Sequence, residues 1–495
     1  MLEKLLRTIS ATAILAALAA AASHSPESAR AARLTPQGVA IASRLHPCQT
    51  AGVAGDTLCG TYEVFENRPK RAGRKISLNI VVLPALGSTK EPDPLFVFAG
   101  GPGQAATDGA AGYAQVFAVV RNARDIVLID QRGTGRSNPL NCEFSDLNEI
   151  VEALFAGHLP VQSLKACRNQ LEQKADLKQY TTPIAADDID EVRDWLGYDR
   201  INLYGSSYGS RPALVYMSRH TSHVRSAVIK SVAPQDYKNP LYNPRDAQKS
   251  LDHLFADCEH DPSCAKAFPT LRSDTQKVLD KLARTPAIVT ALDSGGGAPT
   301  DISITREVFA GALRRALLDV NSQRSIPLSI TKALNGDFKN FGPFFAAFRS
   351  VSKSFSFGMN LSVTCAEDAP LIKREEIERV TKGKFLGDTL VRSVLKVCRE
   401  WPRGELPKDF YRPTRNNVPV LVISGQLDPD APPEWGDEVV KNFPNGRHLI
   451  VEGMSHLSPP KCLWAVIGEF FAAGSVKKLD TSCLANSARL PFVAP

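Results

Sequence analysis

The stretch of sequence that decides the fold is INLYGSSYG, at residues 201–209. A short run with the composition of a buried strand leads into Gly205-x-Ser207-x-Gly209, and a helix-like pattern follows as far as Arg219. A serine on a strand-to-helix turn, with a glycine two positions away on either side, is the nucleophile-elbow pattern. Such a turn is sharp and exposes the hydroxyl group. We therefore predict that Ser207 is a nucleophile at the end of a strand.

Two further glycine-rich turns follow strand-like runs earlier in the chain. Leu95–Phe98 leads into Gly100-Gly101-Pro102-Gly103, and residues 125–129 lead into DQRGTG at 130–135. Strands that alternate with helices and end in glycine-rich turns are typical of a mostly parallel α/β sheet with helices on both faces. Ligands of such sheets bind beyond the carboxyl ends of the strands, so we expect all three turns at one edge.

A serine hydroxyl needs a base, and the base needs an orienting acid. His456 follows the strand-like run 448–451, and Asp428 follows the run 418–423. The chain order Ser, Asp, His matches the order found with nucleophile elbows. We predict a triad of Ser207, Asp428 and His456, with Asp430 as the competing acid.

The oxyanion formed during acyl transfer needs preorganised N–H donors. We expect one to be the backbone N–H of Tyr208, directly after the nucleophile. The other should come from the first glycine-rich turn, where Gly101 is the first choice and Gly100 the alternative. Pro102 has no N–H to donate.

The interval between the fourth and fifth buried strands is much longer than one crossover helix requires. Its patterns are helical, so residues 236–405 are predicted to be a helical cap inserted into the sheet domain. The core is then divided into residues 48–235 and 406–495. The first core segment begins with two runs of antiparallel type, at 61–65 and 76–86.

The first 22 residues have the pattern of an export signal. Lys4 and Arg7 precede an apolar, alanine-rich run from Ala11 to Ala22 that is too short to span a bilayer. We predict cleavage near residues 20–23, a poorly ordered segment over 23–47, and an exported protein, periplasmic or secreted. No later segment is long and apolar enough to cross a membrane.

Ten cysteines behind an export signal predict disulfides. Sequence alone does not fix their pairing, but they fall into five pairs of close neighbours, which we expect to be bonded. The pairs are Cys48 with Cys59, Cys142 with Cys167, Cys258 with Cys264, Cys365 with Cys398, and Cys462 with Cys483. Without a Cys-x-x-Cys pair, a zinc site is not expected.

The formal net charge is +7 over 495 residues, a small basic excess. Basic runs interleaved with aromatic residues are missing, which argues against nucleic-acid binding. The sequence also lacks a phosphate loop and a dinucleotide fingerprint, so no cofactor is expected.

Taken together, the motifs resemble the proline iminopeptidase branch of the α/β-hydrolases, and more closely its secreted tripeptidyl aminopeptidase-like members. The resemblance runs from about Cys48 to Cys483. It is carried by residues 100–103, DQRGTGRS at 130–137, residues 205–209, VTCAED at 363–368, Gly425-x-x-Asp428 and Gly453-x-x-His456. One departure is Ala99, where many iminopeptidases have histidine, and it weakens the transfer of a strict proline preference.

The resemblance implies an exopeptidase that holds the free amino group of a peptide with carboxylates of the cap. Glu367, with Asp368 beside it, is the candidate here. The alternative for Glu367 is a solvated helix-end charge or a structural partner near a disulfide. Asp130 and Arg132 are expected to brace the loops around the site rather than to take part in catalysis.

The predicted function is an exported serine hydrolase, an aminopeptidase that cleaves peptide substrates through an acyl-enzyme. A carboxylesterase or lipase on the same scaffold is the alternative, because amide and ester hydrolysis use the same triad. Acidic cap residues near the site favour peptides, whereas a purely apolar cap favours esters. An inactive scaffold used for binding is a third possibility, against which the intact triad residues argue.

Overall fold

In the computed structural model, residues 43–144, 147–291, 300–345, 354–485 and 487–494 are described. The predicted export signal, residues 1–22, lies outside them. So does most of the predicted poorly ordered segment, although its last residues belong to a strand. Among the described residues, no helix has the length and apolar character needed to cross a bilayer.

Eleven strands are described, nine of them in one sheet. They are β1 His46–Cys48, β2 Thr57–Phe65, β3 Lys75–Leu83, β4 Leu95–Phe98, β5 Ile126–Ile129, β6 Ile201–Ser206, β7 Val224–Lys230, β8 Ala287–Ala291, β9 Thr300–Ile304, β10 Val420–Gly425 and β11 Gly446–Val451. The large sheet has the order β1-β2-β3-β5-β4-β6-β7-β10-β11. Strands β4, β5, β6, β7, β10 and β11 pair with one another in parallel, whereas β1, β2 and β3 form antiparallel pairs. The sequence predicts the mostly parallel sheet and the two antiparallel runs that contain β2 and β3, and the structure adds β1.

The α-helices cover both faces of the sheet and build the cap. In chain order they are α1 Ala110–Val116, α2 Ala118–Arg121, α3 Leu147–Ala156, α4 Val161–Glu172, α5 Thr182–Trp195, α6 Ser210–Arg219, α7 Asn243–His260, α8 Pro262–Ala267, α9 Leu271–Arg284, α10 Arg306–Leu317, α11 Val320–Gln323, α12 Ile326–Leu334, α13 Phe357–Val363, α14 Arg374–Thr381, α15 Thr389–Cys398, α16 Pro433–Val440 and α17 Lys461–Ala473. Short 3₁₀ turns occupy Ser207–Gly209 and Thr221–His223, and α13 continues as a π-helix over Thr364–Asp368.

Alternate residues of the central strands pack into two different cores. Phe96 and Leu203 point to the side covered by α5, α6 and α16, whereas Leu95 and Val97 point to the side covered by α1, α2 and α17. A strand buried on both faces must be apolar along its whole length, which explains the continuous runs in the sequence. The core is therefore the three-layer α/β arrangement that the sequence predicts.

The cap has a third core, and it includes a segment that the sequence analysis left out. Val151 and Phe155 of α3 pack with α7, α9 and α10, which belong to residues 236–405. The cap also contains the β8–β9 hairpin beside its helices. Helix α4 likewise packs against α13 and α15 of the same region, so α3 and α4, which lie between β5 and α5 in the chain, join the segment predicted as the cap.

Disulfides join the cysteines in the five neighbouring pairs expected from the sequence. All ten cysteines lie in the described residues, and none of them is free there. Each bridge closes a loop of 6–33 residues, so each constrains local structure more than it links distant domains.

Candidate active site

Ser207 lies on a strained turn between β6 and α6. Its φ of +59° is in the left-handed region, which side-chain-bearing residues rarely adopt. A Cβ atom at Gly205 would lie 2.2 Å from the carbonyl oxygen of Gly209, and one at Gly209 would lie 2.2 Å from that of Phe98. Both glycines are thus required by close backbone contacts, as the elbow pattern predicts.

His456 is bonded to Asp428 at the same edge of the sheet. The imidazole Nδ1 lies 2.9 Å from Oδ2 and 3.0 Å from Oδ1 of the carboxylate. Asp428 also accepts hydrogen bonds of 2.9 Å from the backbone N–H groups of Asp430 and Ala431. Burial by itself would raise the pKa of Asp428, but the charge of His456 and these hydrogen bonds lower it to about 2. The carboxylate is therefore ionised and can stabilise an imidazolium.

The competing acid, Asp430, has a different partner. Its Oδ1 lies 2.7 Å from Nη2 of Arg314 in the cap. The geometry thus favours Asp428 over Asp430 as the partner of His456, and it makes Asp430 part of a contact between core and cap.

A cavity of about 580 Å³ lies between the sheet edge and the cap, and Ser207 and His456 both line it. Gly100, Gly101 and Tyr208, the expected sources of the oxyanion donors, line it as well. A Cβ atom at Gly100 would be 3.6 Å from Cβ of Ser207, so the first glycine-rich turn lies directly beside the candidate nucleophile.

The cap holds that turn in place. Ser356 N–H donates a 3.0 Å hydrogen bond to the carbonyl of Gly103, and the Asn360 amide donates one of 3.0 Å to the carbonyl of Pro102. A Cβ atom at Gly101 would lie 3.3 Å from the Phe355 ring. These contacts connect the cap directly to the candidate oxyanion donors.

Glu367 and Asp368 have different surroundings. Glu367 is fully buried and accepts hydrogen bonds from the backbone N–H and hydroxyl of Thr182, at 2.7 and 2.8 Å. It also pairs with Arg211 at 3.2 Å, and burial raises its pKa. Glu367 is therefore a structural group behind the cavity wall. Asp368, by contrast, lines the cavity and forms two hydrogen bonds with Arg211, at 2.8 and 3.1 Å.

Asp130 and Arg132 have the bracing surroundings that the sequence analysis expects. Asp130 accepts hydrogen bonds from Asn79, from the backbone and side chain of Thr107, and from the backbone of Arg136. Arg132 is fully buried against Asp188, with contacts of 2.5 and 2.8 Å. Neither residue lines the cavity.

Lys230 is a residue of the site that the sequence analysis missed. It ends β7, lines the cavity, and donates a 2.7 Å hydrogen bond from Nζ to the carbonyl oxygen of His456. Ser206 lies 3.4 Å from the same nitrogen. Burial lowers the pKa of Lys230 to about 8, against the opposing charge of Asp428. In the sequence, its place at the end of the strand after the elbow was the one feature that could have indicated a role in the site.

Aromatic and aliphatic side chains from both parts of the cap form most of the remaining wall. The residues are Phe144, Ile150, Leu154, Leu159, Leu164, Phe355, Phe357, Leu361, Leu390 and Val394. A largely apolar cavity with a few converging polar groups is typical of small-molecule sites.

Comparison with known proteins agrees with this fold. Residues 93–259 match the family model described as "alpha/beta hydrolase fold", and residues 383–483 match the one described as "TAP-like protein". The serine protease Hip1 of Mycobacterium tuberculosis is 21% identical over 88% of this chain and 90% of its own. The tripeptidyl aminopeptidase of Streptomyces lividans is 31% identical over 35% of each chain. The proline iminopeptidase of Neisseria gonorrhoeae is 27% identical over 28% of this chain and 32% of its own.

The sheet order, the elbow and the family models define an α/β-hydrolase. Within that fold, the chain is similar to a serine protease, a tripeptidyl aminopeptidase and a proline iminopeptidase.

Proposed function

We propose that the protein is an exported serine aminopeptidase that acts through a triad of Ser207, His456 and Asp428. The observation that carries the proposal is the position of His456. It is bonded to the buried Asp428 carboxylate and lines the same cavity as a serine on a strained elbow. Export is supported by the N-terminal signal pattern and by five disulfides, which persist in oxidising compartments.

In the proposed mechanism, His456 takes the proton of the Ser207 hydroxyl as its oxygen attacks the scissile carbonyl carbon. Asp428 holds the imidazole by Nδ1 and stabilises the imidazolium that forms. The N–H groups of Tyr208 and Gly101 are the proposed donors to the oxyanion. His456 then protonates the leaving amine, and a water molecule, activated in the same way, releases the acyl group from Ser207.

The charged side chains behind one wall of the cavity support a preference for substrates with a free amino terminus. Glu367 and Asp368 share one guanidinium, that of Arg211, so the buried cluster carries one surplus negative charge when both carboxylates are ionised. Asp368 presents this charge to the cavity. A substrate ammonium would balance it, whereas a blocked amino terminus or an ester would not. We therefore propose Asp368, and not Glu367, as the group that faces the substrate amine.

A carboxylesterase is the second candidate, because the remaining wall is largely apolar. The discriminating experiment compares kcat/KM for chromogenic anilides of one peptide with a free or an acetylated amino terminus, and for a short acyl ester. We expect the free-amine anilide to be preferred by at least about tenfold. Equal or faster hydrolysis of the acetylated anilide or the ester would contradict the aminopeptidase assignment.

Two variants separate the catalytic and the specificity parts of the proposal. Ser207→Ala should lower kcat by about 10⁵–10⁶-fold on every substrate without changing thermal stability. Asp368→Asn should raise KM for the free-amine anilide and leave the ester unaffected. The matched control is Asp388→Asn, which changes an exposed carboxylate in the same part of the cap.

A further inference from the structure

A group of metal-ligating side chains lies outside the cavity, on the face formed by α5 and α6. Asp190 comes from α5, His220 follows the last residue of α6, and His223 ends the next 3₁₀ turn. One ligand atom from each of the three lies within 4.8 Å of the others. We propose that these residues bind a divalent transition-metal ion, with Zn²⁺ as the best fit.

The local backbone brings the two imidazoles together. His220 directly precedes the 3₁₀ turn that His223 ends, and the N–H of His223 donates a 3.0 Å hydrogen bond to the carbonyl of His220. The rings of His220 and His223 are accordingly stacked, with centroids 6.1 Å apart and an interplanar angle of 10°. The His-x-x-His spacing thus presents two nitrogen ligands on one side of the turn.

The distances to Asp190 are close to those of a tetrahedral site. Nδ1 of His220 lies 3.4 Å from Oδ2 of Asp190, and Nδ1 of His223 lies 2.8 Å from Oδ1. Two ligands at the usual zinc bond lengths are about 3.3 Å apart in tetrahedral geometry. The two distances end on different oxygens of the Asp190 carboxylate: the first matches this spacing, and the second would have to open by about half an ångström. The three side chains are 16–32% exposed, so an ion and a water ligand can enter.

A second carboxylate orients one of the ligands. Nε2 of His220 lies 2.9 Å from Oδ1 of Asp187. A carboxylate at this position holds the proton on Nε2 and leaves the lone pair on Nδ1, the atom that faces Asp190. Metal-ligating histidines commonly donate their other ring N–H to a carboxylate in this way.

The charged groups around the cluster favour a nitrogen-binding metal over a hard cation. Asp190 accepts hydrogen bonds from Arg193 and from the hydroxyl of Tyr216, and Asp187 pairs with Arg219. These guanidinium groups balance the two carboxylates, so Mg²⁺ or Ca²⁺, which depend on carboxylate charge, would bind poorly. The imidazole nitrogens suit Zn²⁺ instead. Because α6 begins directly after Ser207–Gly209, a bound ion would tie α5 to the far end of the helix that carries the elbow.

The test is calorimetric titration of ZnCl₂ into the metal-free full-length protein, with disulfides intact, at pH 7.5. We expect one site, and a rise in Tm of about 3 °C when zinc reaches 100 times Kd. His220→Gln and His223→Gln should each weaken binding at least about tenfold.

The matched control is His448→Gln. His448 also lies 2.8 Å from a carboxylate, that of Asp437, but it does not belong to a three-ligand group in the described residues. This variant should bind zinc as the wild type does. Absence of binding to the wild type, or equal binding by the wild type and both histidine variants, would overturn the proposal. Melting curves without zinc establish that each variant is folded.

Discussion

The sheet edge and the cap face the same cavity, yet they are built in different ways. At the sheet edge, each candidate catalytic residue follows the end of its strand by a few positions, so its place is fixed by local chain geometry. In the cap, the wall comes from two separate insertions that meet only in the folded protein. Under the proposed function, residues at strand ends control the chemistry, whereas packing between distant segments controls which substrates enter the cavity. Three substitutions test this difference.

The largest effect on stability is expected where the cap is anchored to the core. Arg211→Met would leave Glu367 and Asp368 buried without their shared guanidinium, at a cost of about 3–5 kcal/mol in free energy of unfolding. Burial already raises the pKa of Glu367. When a carboxyl group has a higher pKa in the folded than in the unfolded protein, its ionisation lowers the free energy of unfolding as the pH rises through that range. The loss should therefore be larger at pH 7.5 than at pH 5.

Urea unfolding at the two pH values measures this effect. Arg392→Met is the control, because Arg392 forms an exposed pair with Asp388 that contributes less than about 0.5 kcal/mol. If both variants lost the same small amount of stability, the cap anchor would not depend on the buried charges.

A smaller effect is expected at the elbow itself. Gly209→Ala would bring Cβ to 2.2 Å from the carbonyl oxygen of Phe98 and 2.9 Å from that of Ala99, and neither backbone atom can move without shifting β4. We expect a loss of about 1–3 kcal/mol in unfolding free energy, together with a fall in kcat. Gly112→Ala is the matched control. Its Cβ would meet no atom within 4 Å in the middle of α1, so it should stabilise by about 0.5–1 kcal/mol. A stable, fully active Gly209→Ala variant would refute the close contact.

The smallest effect is expected for Lys230→Met, and it should appear in kinetics. Removing the charged hydrogen bond to the carbonyl of His456 should lower kcat/KM by about tenfold at pH 7, which corresponds to about 1.4 kcal/mol. In the wild type, Lys230 loses its charge near pH 8, so kcat/KM should change there. That step should be missing in the variant.

The folded state lowers the pKa of Lys230, so burying its charge opposes folding at neutral pH, and the methionine variant should not be less stable. Lys441→Met, at an exposed position, is the control for both readouts. An unchanged pH profile in Lys230→Met would show that this lysine does not influence the triad.

Much of the site could be predicted because its residues lie where strands end. The sequence contains three glycine-rich turns after strand-like runs. It also places an aspartate and a histidine directly after the last two such runs. The five disulfides could be predicted for a related reason, since each joins cysteines that are close in the chain. The position of Glu367 could not be predicted. Whether a carboxylate on a cap helix faces a cavity or the protein interior depends on Arg211 and Thr182, which are more than 150 residues away.

The sequence by itself determined the layered fold, the elbow and the order of the candidate triad, because strand periodicity, turn chemistry and chain order are local properties. Only the tertiary structure decided that α3 and α4 belong to the cap, that Asp368 and not Glu367 reaches the cavity, and that Lys230 supports His456. It also brought His220 and His223 to Asp190, which lies 30 and 33 positions earlier in the chain. These outcomes depend on which surfaces of distant helices pack together, and that choice is made by the whole buried interface rather than by any one segment.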